Sequence, residues 1–362
     1  MGSQIGEIFK ISIFGESHGT AIGCVIEGIP AGTKLDLDLI RKRMAQRKPG
    51  QGSFTTPRQE GDRFEILSGF FNDHTTGTPL CMMIKNHDTR SKDYEKTKSL
   101  LRPSHADYTG AIKWHGANDF RGGGHFSARL TAPLVFAGAI AEQLLSEQNI
   151  KIISQVASVG TVTCKSLTDY TDIEPLLNQF DETPLLIHSD YEASVLEEIE
   201  NARNALDSVG GVVETLVLNM PVGVGNPMFD TIESELSYGL FGIPAVKGVS
   251  FGKGFDISKM RGSEANDAFI MEEDMIKTKT NHNGGINGGI SNGMPIWFRC
   301  AFKPTPSIAK PQDTVNLETL KEEKLEIVGR HDPCVALRGA VVVKAVTAIK
   351  IYDLIRKEMS NG

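Results

Sequence analysis

Apolar and polar positions divide the chain into short strands and a few helices. Residues 8–14 form an apolar run ending at Gly15, and 23–28, 64–67, 80–84, 211–218 and 295–302 have the length and apolar content of strands. Residues 38–48 read as a helix stopped by Pro49-Gly50. Thr131 and Pro133 stand where a helix cap and first turn belong, ahead of an apolar-periodic run to about residue 148. A last helix is expected after Pro333, running to Met359, with Asp332 as N-cap, Pro333 at N1 and Lys357 near the C-terminal end. The elements mix without a clean alternation of strand and helix. No proline- or serine-rich linker and no single-sign block divides the chain, so one domain over 1–362 is expected.

One pattern repeats faintly. Gly23 to Glu27, followed by Pro30 and Gly32, echoes Gly210 to Glu214, followed by Pro221 and Gly223. Chance recurrence of a strand-turn pattern is the simpler explanation. Duplication of a strand-bearing unit is the sharper one.

Composition narrows the function. Lys and Arg number 38 against 45 Asp and Glu, a net charge of −7, with a pI near 5.8. A dedicated nucleic-acid binder is normally basic, so that class is disfavoured. The first twenty residues lack a signal-peptide core, and the apolar stretch 130–145 is broken by Pro133, Gly138 and Glu142. The cysteines at 24, 81, 164, 300 and 334 have neither metal-ligand nor redox spacing. A cytoplasmic protein with no membrane span and no metal is the expectation.

Glycine is over-represented, 37 in 362 residues, or about 10% against a usual 7% or so. Its clusters carry the candidate chemistry. Gly15-Glu16-Ser17-His18-Gly19 follows a strand and makes a tight turn that can present an imidazole; a backbone-bonded turn histidine is the plainer alternative. It does not match a nucleophile elbow. Arg102-Pro103-Ser104-His105-Ala106-Asp107 offers a histidine whose neighbouring carboxylate would raise its pKa for general-acid work, or only a surface turn with a local Asp–His contact. Arg121-Gly122-Gly123-Gly124-His125-Phe126-Ser127-Ala128-Arg129 leads into a helix N-terminus, an arrangement suited to anions, although neither Walker-A nor dinucleotide spacing is met. Residues 281–293 hold five glycines, at 284, 285, 288, 289 and 293, that let backbone approach a flat or phosphorylated ligand; Lys303-Pro304-Thr305-Pro306-Ser307 follows the next strand. Gly329-Arg330-His331-Asp332 precedes the last helix. Residues 41–48 contain five basic side chains, either a solvated face or a patch steering a polyanionic small molecule.

In this order the segments resemble chorismate synthase. The matching runs are 15–19, 47–50, 75–79, 90–94, 102–107, 121–131, 244–248, 284–289, 303–307 and 329–338, spread over essentially the whole chain. The resemblance implies an α+β fold: a β-α-β sandwich with internal duplication and mixed or antiparallel sheets. It implies a lyase that converts 5-enolpyruvylshikimate 3-phosphate to chorismate and phosphate by 1,4-anti elimination, requiring reduced FMN without net redox change. It also implies a homotetramer. No extra segment for flavin reduction by NADPH is apparent, so a monofunctional enzyme supplied with reduced flavin from a separate source is expected.

By the same resemblance His105 protonates the departing phosphate, His18 acts on the reduced flavin, and Asp332 helps flavin N5 take the C6 hydrogen as a proton. Arg47, Arg102, Arg129 and Arg330 hold the substrate. The flavin contacts are His125, Phe126, Ser127, Pro244, Ala245, Gly288, Lys303, Pro304, Thr305, Pro306, Ser307 and Arg330. Six positions depart from the family pattern. His125-Phe126 and Leu130 replace an Arg-Ser pair and a Glu; Ser53 stands where a second arginine is common; Pro244 replaces Asn; and Ser104 replaces Gly.

Overall fold

Strands form where the apolar runs placed them, in two five-stranded antiparallel sheets, and four two-stranded antiparallel ribbons lie beside these among the described residues. The structure, a computed structural model, describes residues 2–48, 61–86, 98–183, 185–327 and 332–361. The run 90–94, Pro49-Gly50, Ser53, Arg330 and His331 therefore lie outside the described residues. The first sheet runs in the order Gln4–Ile5, Lys10–Gly15, Ala21–Glu27, Leu80–Lys85, Phe64–Ser68. The second runs Val246–Phe251, Ile296–Phe302, Gly211–Leu218, Lys151–Val159, Val162–Thr163. The two echoing segments, 23–27 and 210–214, thus fall on the middle strand of one sheet and of the other, as a duplicated unit would.

Helices fill the space between the sheets. In the Thr131–Ser146 helix, twelve of sixteen residues are buried, because it packs against the first sheet, the second sheet and the C-terminal helix Ala336–Asn361. A helix covered on most sides must be largely apolar, and this one is apolar from Ala132 to Ala141, with Glu142 held by Arg43 and Lys344. The Leu37–Arg47 helix packs on both. It ends with Lys48 extended, as the residue before a proline is pushed to be. The apolar side chains of both halves join in one core cluster.

Its five basic residues do not make a steering patch. Arg41 pairs with Asp38, Lys42 with Asp181 and Glu182, and Arg43 with Glu142 and Asp181. Lys344 of the C-terminal helix adds a further bond to Glu142 at 2.8 Å. Asp38 lies on the same helix, and the other carboxylates arrive from two further helices, Thr131–Ser146 and Glu174–Glu182, which a local charge count does not see.

The chain termini are stapled together by Asp353, which is fully buried. Its Oδ1 accepts from the backbone N–H groups of Glu7, Ile8 and Phe9 at 3.1, 2.9 and 2.9 Å. This fixes the strand that delivers the 15–19 turn. No helix among the described residues is long and apolar enough to cross a membrane.

Candidate active site

The 15–19 turn is clamped from two sides. Asn86 Nδ2 donates to the carbonyls of Glu16 and Gly19 at 3.0 and 2.9 Å, and the Ser17 N–H donates to Gly124 O at 3.1 Å. His18 is thereby buried, 7% exposed, beneath the glycine run. A Cβ on Gly122 would lie 2.1 Å from two atoms of the His18 ring. Gly122 and Gly123 both have positive φ, but a Cβ on Gly123 would meet only Ser127, at 3.9 Å. Both alanine variants carry the left-handed backbone cost, roughly 1–2 kcal/mol, and only Gly122→Ala also displaces the imidazole. Gly122→Ala is expected to lose turnover far more than Gly123→Ala at similar thermal stability. Equal turnover in the two would show that the contact with His18 is immaterial.

The neighbours of this turn are already engaged. His125 bonds Gly15 O through Nδ1 and Ser3 Oγ through Nε2, both at 2.9 Å. The Phe126 ring lies 5.2 Å from Trp114 at 46° and covers Gly110, where a Cβ would come within 2.8 Å of it. Ser127 caps the turn Ala128–Leu130 by accepting from the Arg129 N–H. The side-chain cap before the Thr131 helix is therefore Ser127, not Thr131. Thr131 is the first helical residue, and its hydroxyl donates to Ala128 O at 2.6 Å.

Two of the expected substrate arginines meet beneath that helix N-terminus around a carboxylate that the sequence did not mark. Asp62 takes Arg47 Nη1 on Oδ2 at 2.9 Å and Arg129 Nη1 on Oδ1. Arg47, 1% exposed, also donates to Thr131 Oγ1 at 3.2 Å and Ala128 O at 3.1 Å. Arg129 reaches Asn86 Oδ1 at 3.3 Å, which ties the cluster to the His18 turn. Burial raises the Asp62 pKa, but the two guanidiniums outweigh it and hold the carboxyl below its usual value.

Asp332 joins through Arg338, whose Nη1 pairs with it and whose Nε donates to Arg47 O at 2.9 Å. Asp332 is not the N-cap expected of it. The helix begins at Ala336, because Pro333 O is held by the Val209 N–H at 2.9 Å on the second sheet. The Cys334 sulfur instead accepts from the Ala336 and Leu337 N–H groups.

A second cluster forms where the 102–107 loop meets 303–307. Arg102 is bidentate on Asp107, Nε–Oδ2 2.8 Å and Nη2–Oδ1 2.7 Å. The expected Asp107–His105 partnership is thus replaced. His105 Nδ1 bonds Pro103 O at 3.1 Å and Nε2 bonds Ser307 Oγ at 2.9 Å. Its pKa is not raised but lowered, to about 4, by burial first and then by the Arg102 charge. Lys303 Nζ donates to Ser104 O at 2.7 Å, and the Lys303 N–H donates to Ala245 O at 3.0 Å. Ser104, at a glycine-preferring position, has φ 58°, and Ala245 has φ 74°, backbone conformations that cost about 1 kcal/mol or more each. Ser208 Oγ holds Thr305 O at 2.6 Å. The hydroxyls of Thr305 and Ser17 are buried with no hydrogen-bond partner among the described residues.

The glycine-rich run 281–293 proves to be a hairpin, Ile286–Asn287 against Ile290–Ser291, turned by Gly288 and Gly289 with positive φ. A Cβ on Gly289 would strike Asn226 and Thr231, whereas one on Gly288 would meet nothing within 4 Å. None of the hydrogen bonds of the two clusters reaches Gly288 among the described residues. A cavity of about 470 Å³ opens elsewhere, beside Lys10, Glu235 and Lys350, and no candidate residue lines it.

Two antiparallel sheets enclosing helices, with arginine clusters beside buried imidazoles, define a protein built to hold an anionic small molecule. The chorismate synthase family model matches residues 9–355. The chain is 49% identical over 355 residues to chorismate synthase of Dehalococcoides mccartyi, covering 98% of this chain and 96% of that one. It is 44% identical to chorismate synthase of Korarchaeum cryptofilum, covering both chains in full. A crystal structure of chorismate synthase superposes with a TM-score of 0.75 at 28% identity, covering 98% and 93% of the two chains. The chain belongs to the chorismate synthase family.

Proposed function

We propose that this enzyme converts 5-enolpyruvylshikimate 3-phosphate to chorismate and phosphate by 1,4-anti elimination, at the end of the shikimate pathway, with reduced FMN bound. The family match over nearly the whole chain carries the reading. The clustering of Arg47, Arg129 and Asp332 on one side and Arg102 and His105 on the other supports it. The substrate carries two carboxylates and a phosphate, for which planar guanidinium forks are the natural partners. Arg330 would complete that set.

The residues present fit a flavin with a phosphate tail. Thr305 offers a buried hydroxyl in need of a partner, Lys303 and Ser307 flank it, and Gly288 leaves open space beside backbone. Pro244, Ala245, Pro304 and Pro306 would shape that wall, with His125, Phe126 and Ser127 contributing from the opposite cluster. Reduced FMN, when bound, supplies electron density transiently to the substrate as phosphate leaves. The protein's share is proton handling. A phosphate dianion arriving beside Arg102 offsets that cation and lifts the His105 pKa, so the imidazolium can protonate the departing phosphate. His18 holds a proton on its imidazole beneath Gly122, and the Asp332 carboxylate, oriented by Arg338, receives the proton derived from C6.

The assay is anaerobic: dithionite-reduced FMN and substrate, with chorismate absorbance and phosphate followed together. Equal amounts of both, and none with oxidised FMN, are expected. Flavin binding without phosphate release would instead favour a flavin-binding protein that has lost catalysis. NADPH with FMN and no other reductant should give no turnover, since the enzyme is taken as monofunctional and supplied with reduced flavin by a separate source. We further assign a single domain over 1–362 and a cytoplasmic homotetramer that engages neither nucleic acid nor membrane. The apolar hairpin Phe269–Glu272 with Met275–Thr278 supports assembly, since Phe269, Met271 and Ile276 are each more than 60% exposed.

A further inference from the structure

We propose that Ser307 is a positioning residue for His105: its hydroxyl donates to Nε2 of the neutral imidazole and couples occupancy of the 303–307 loop to the protonation of that ring. The argument starts from donor and acceptor capacity. Pro103 O can only accept, so His105 Nδ1 must carry a proton to bond it at 3.1 Å. In the neutral ring Nε2 is then a bare lone pair, and the Ser307 hydroxyl donates to it at 2.9 Å. Of the two neutral tautomers, only this one satisfies both ring nitrogens.

Protonating Nε2 reverses that bond. Ser307 must turn from donor to acceptor, and its hydroxyl hydrogen needs a new partner. The loop that bears Ser307 is bound to the His105 loop twice, through Ser307 and through Lys303 Nζ on Ser104 O. An anion seated on the 303–307 loop gives the Ser307 hydrogen an acceptor, and the Ser307 oxygen then accepts from Nε2–H. The charged groups facing His105 are Arg102 and Lys303, which oppose its protonation, and Asp107, which favours it. Arg102 is bidentate on Asp107, so Ser307 is the neutral partner left to move.

The inference rests on the reading of His105 as the proton donor, and its test separates the two. The full chain, labelled with ¹⁵N-histidine and free of ligand, is titrated by NMR, with His105 assigned through His105→Ala. Wild type should show Nδ1–H and bare Nε2 at neutral pH. Ser307→Ala should keep Nδ1–H on Pro103 O and raise the His105 midpoint by about one pH unit, the order set by one hydrogen bond to one protonation state. Ser307→Thr, which keeps the hydroxyl, should restore it. Added FMN should shift the His105 midpoint in wild type and much less in Ser307→Ala, with the signals of His188 and His282 unmoved throughout as a check on folding.

An unchanged midpoint in Ser307→Ala would overturn the proposal, even if His105→Ala were inactive. A raised midpoint alongside an active His105→Ala would keep Ser307 as the positioning residue and remove His105 as the acid.

Discussion

His105→Ala is expected to lower kcat by about 10²- to 10⁴-fold, the range a general acid supplies, while flavin affinity stays within a few-fold of wild type. The leaving group is an unactivated phosphate, so losing its proton donor weakens an interaction that grows in the transition state rather than one that binds the ground state. Flavin affinity should survive because the ring's own bonds go to Pro103 and Ser307. Flavin titration beside single-turnover measurement of phosphate release distinguishes the two effects. Normal phosphate release in the variant would sink the assignment. So would loss of flavin affinity as the sole defect, which would make His105 a cofactor contact.

Asp62→Ala should be the most damaging single change to stability at the site. It removes the shared carboxylate from two guanidiniums that are 1% and 5% exposed, and breaking a buried ion pair from one side typically costs about 3–5 kcal/mol. Urea unfolding measures this directly, and a cost below about 1 kcal/mol would contradict the clamp. Asp62→Asn keeps the shape and gives a pH test if the alanine variant fails to fold. The folded Asp62 pKa lies below its unfolded value of about 4. Its stabilisation is therefore complete above that value and lost as pH falls through the folded pKa. Wild type and Asp62→Asn should differ most near neutrality and converge in acid. A gap that persisted in acid would mean that charge is not what Asp62 contributes.

Much of this site lay open in local sequence. The apolar runs 80–84 and 211–218 marked strands, and the position of Ser17-His18 after an apolar run marked a turn at a strand end. The three glycines ahead of Arg129 pointed to an anion site at a helix N-terminus, and in the fold Gly122 lies against the His18 ring. Other features had no local trace. Asp62 sits in a short run with no motif, and only folding brings it between Arg47 and Arg129. Arg338 lay inside a matching run without a role, since its partners are the backbone of Arg47 and a carboxylate six residues back. Asp107 stood two residues from His105 and so suggested an Asp–His contact, yet it reaches Arg102, because a bidentate guanidinium outcompetes an imidazole for the same two oxygens.

Periodicity and turn chemistry act over a few residues, so sequence alone located several strands, the bulk of three helices and the turns that hold His18 and His105. Pairing, burial and protonation act across the fold. Whether His105 is charged depends on how much water reaches it and on Arg102 and Lys303, and its hydrogen bond to Ser307 spans 202 residues of chain. Only the tertiary structure sets the dielectric and the neighbours, and through them which groups in this protein can hold a proton.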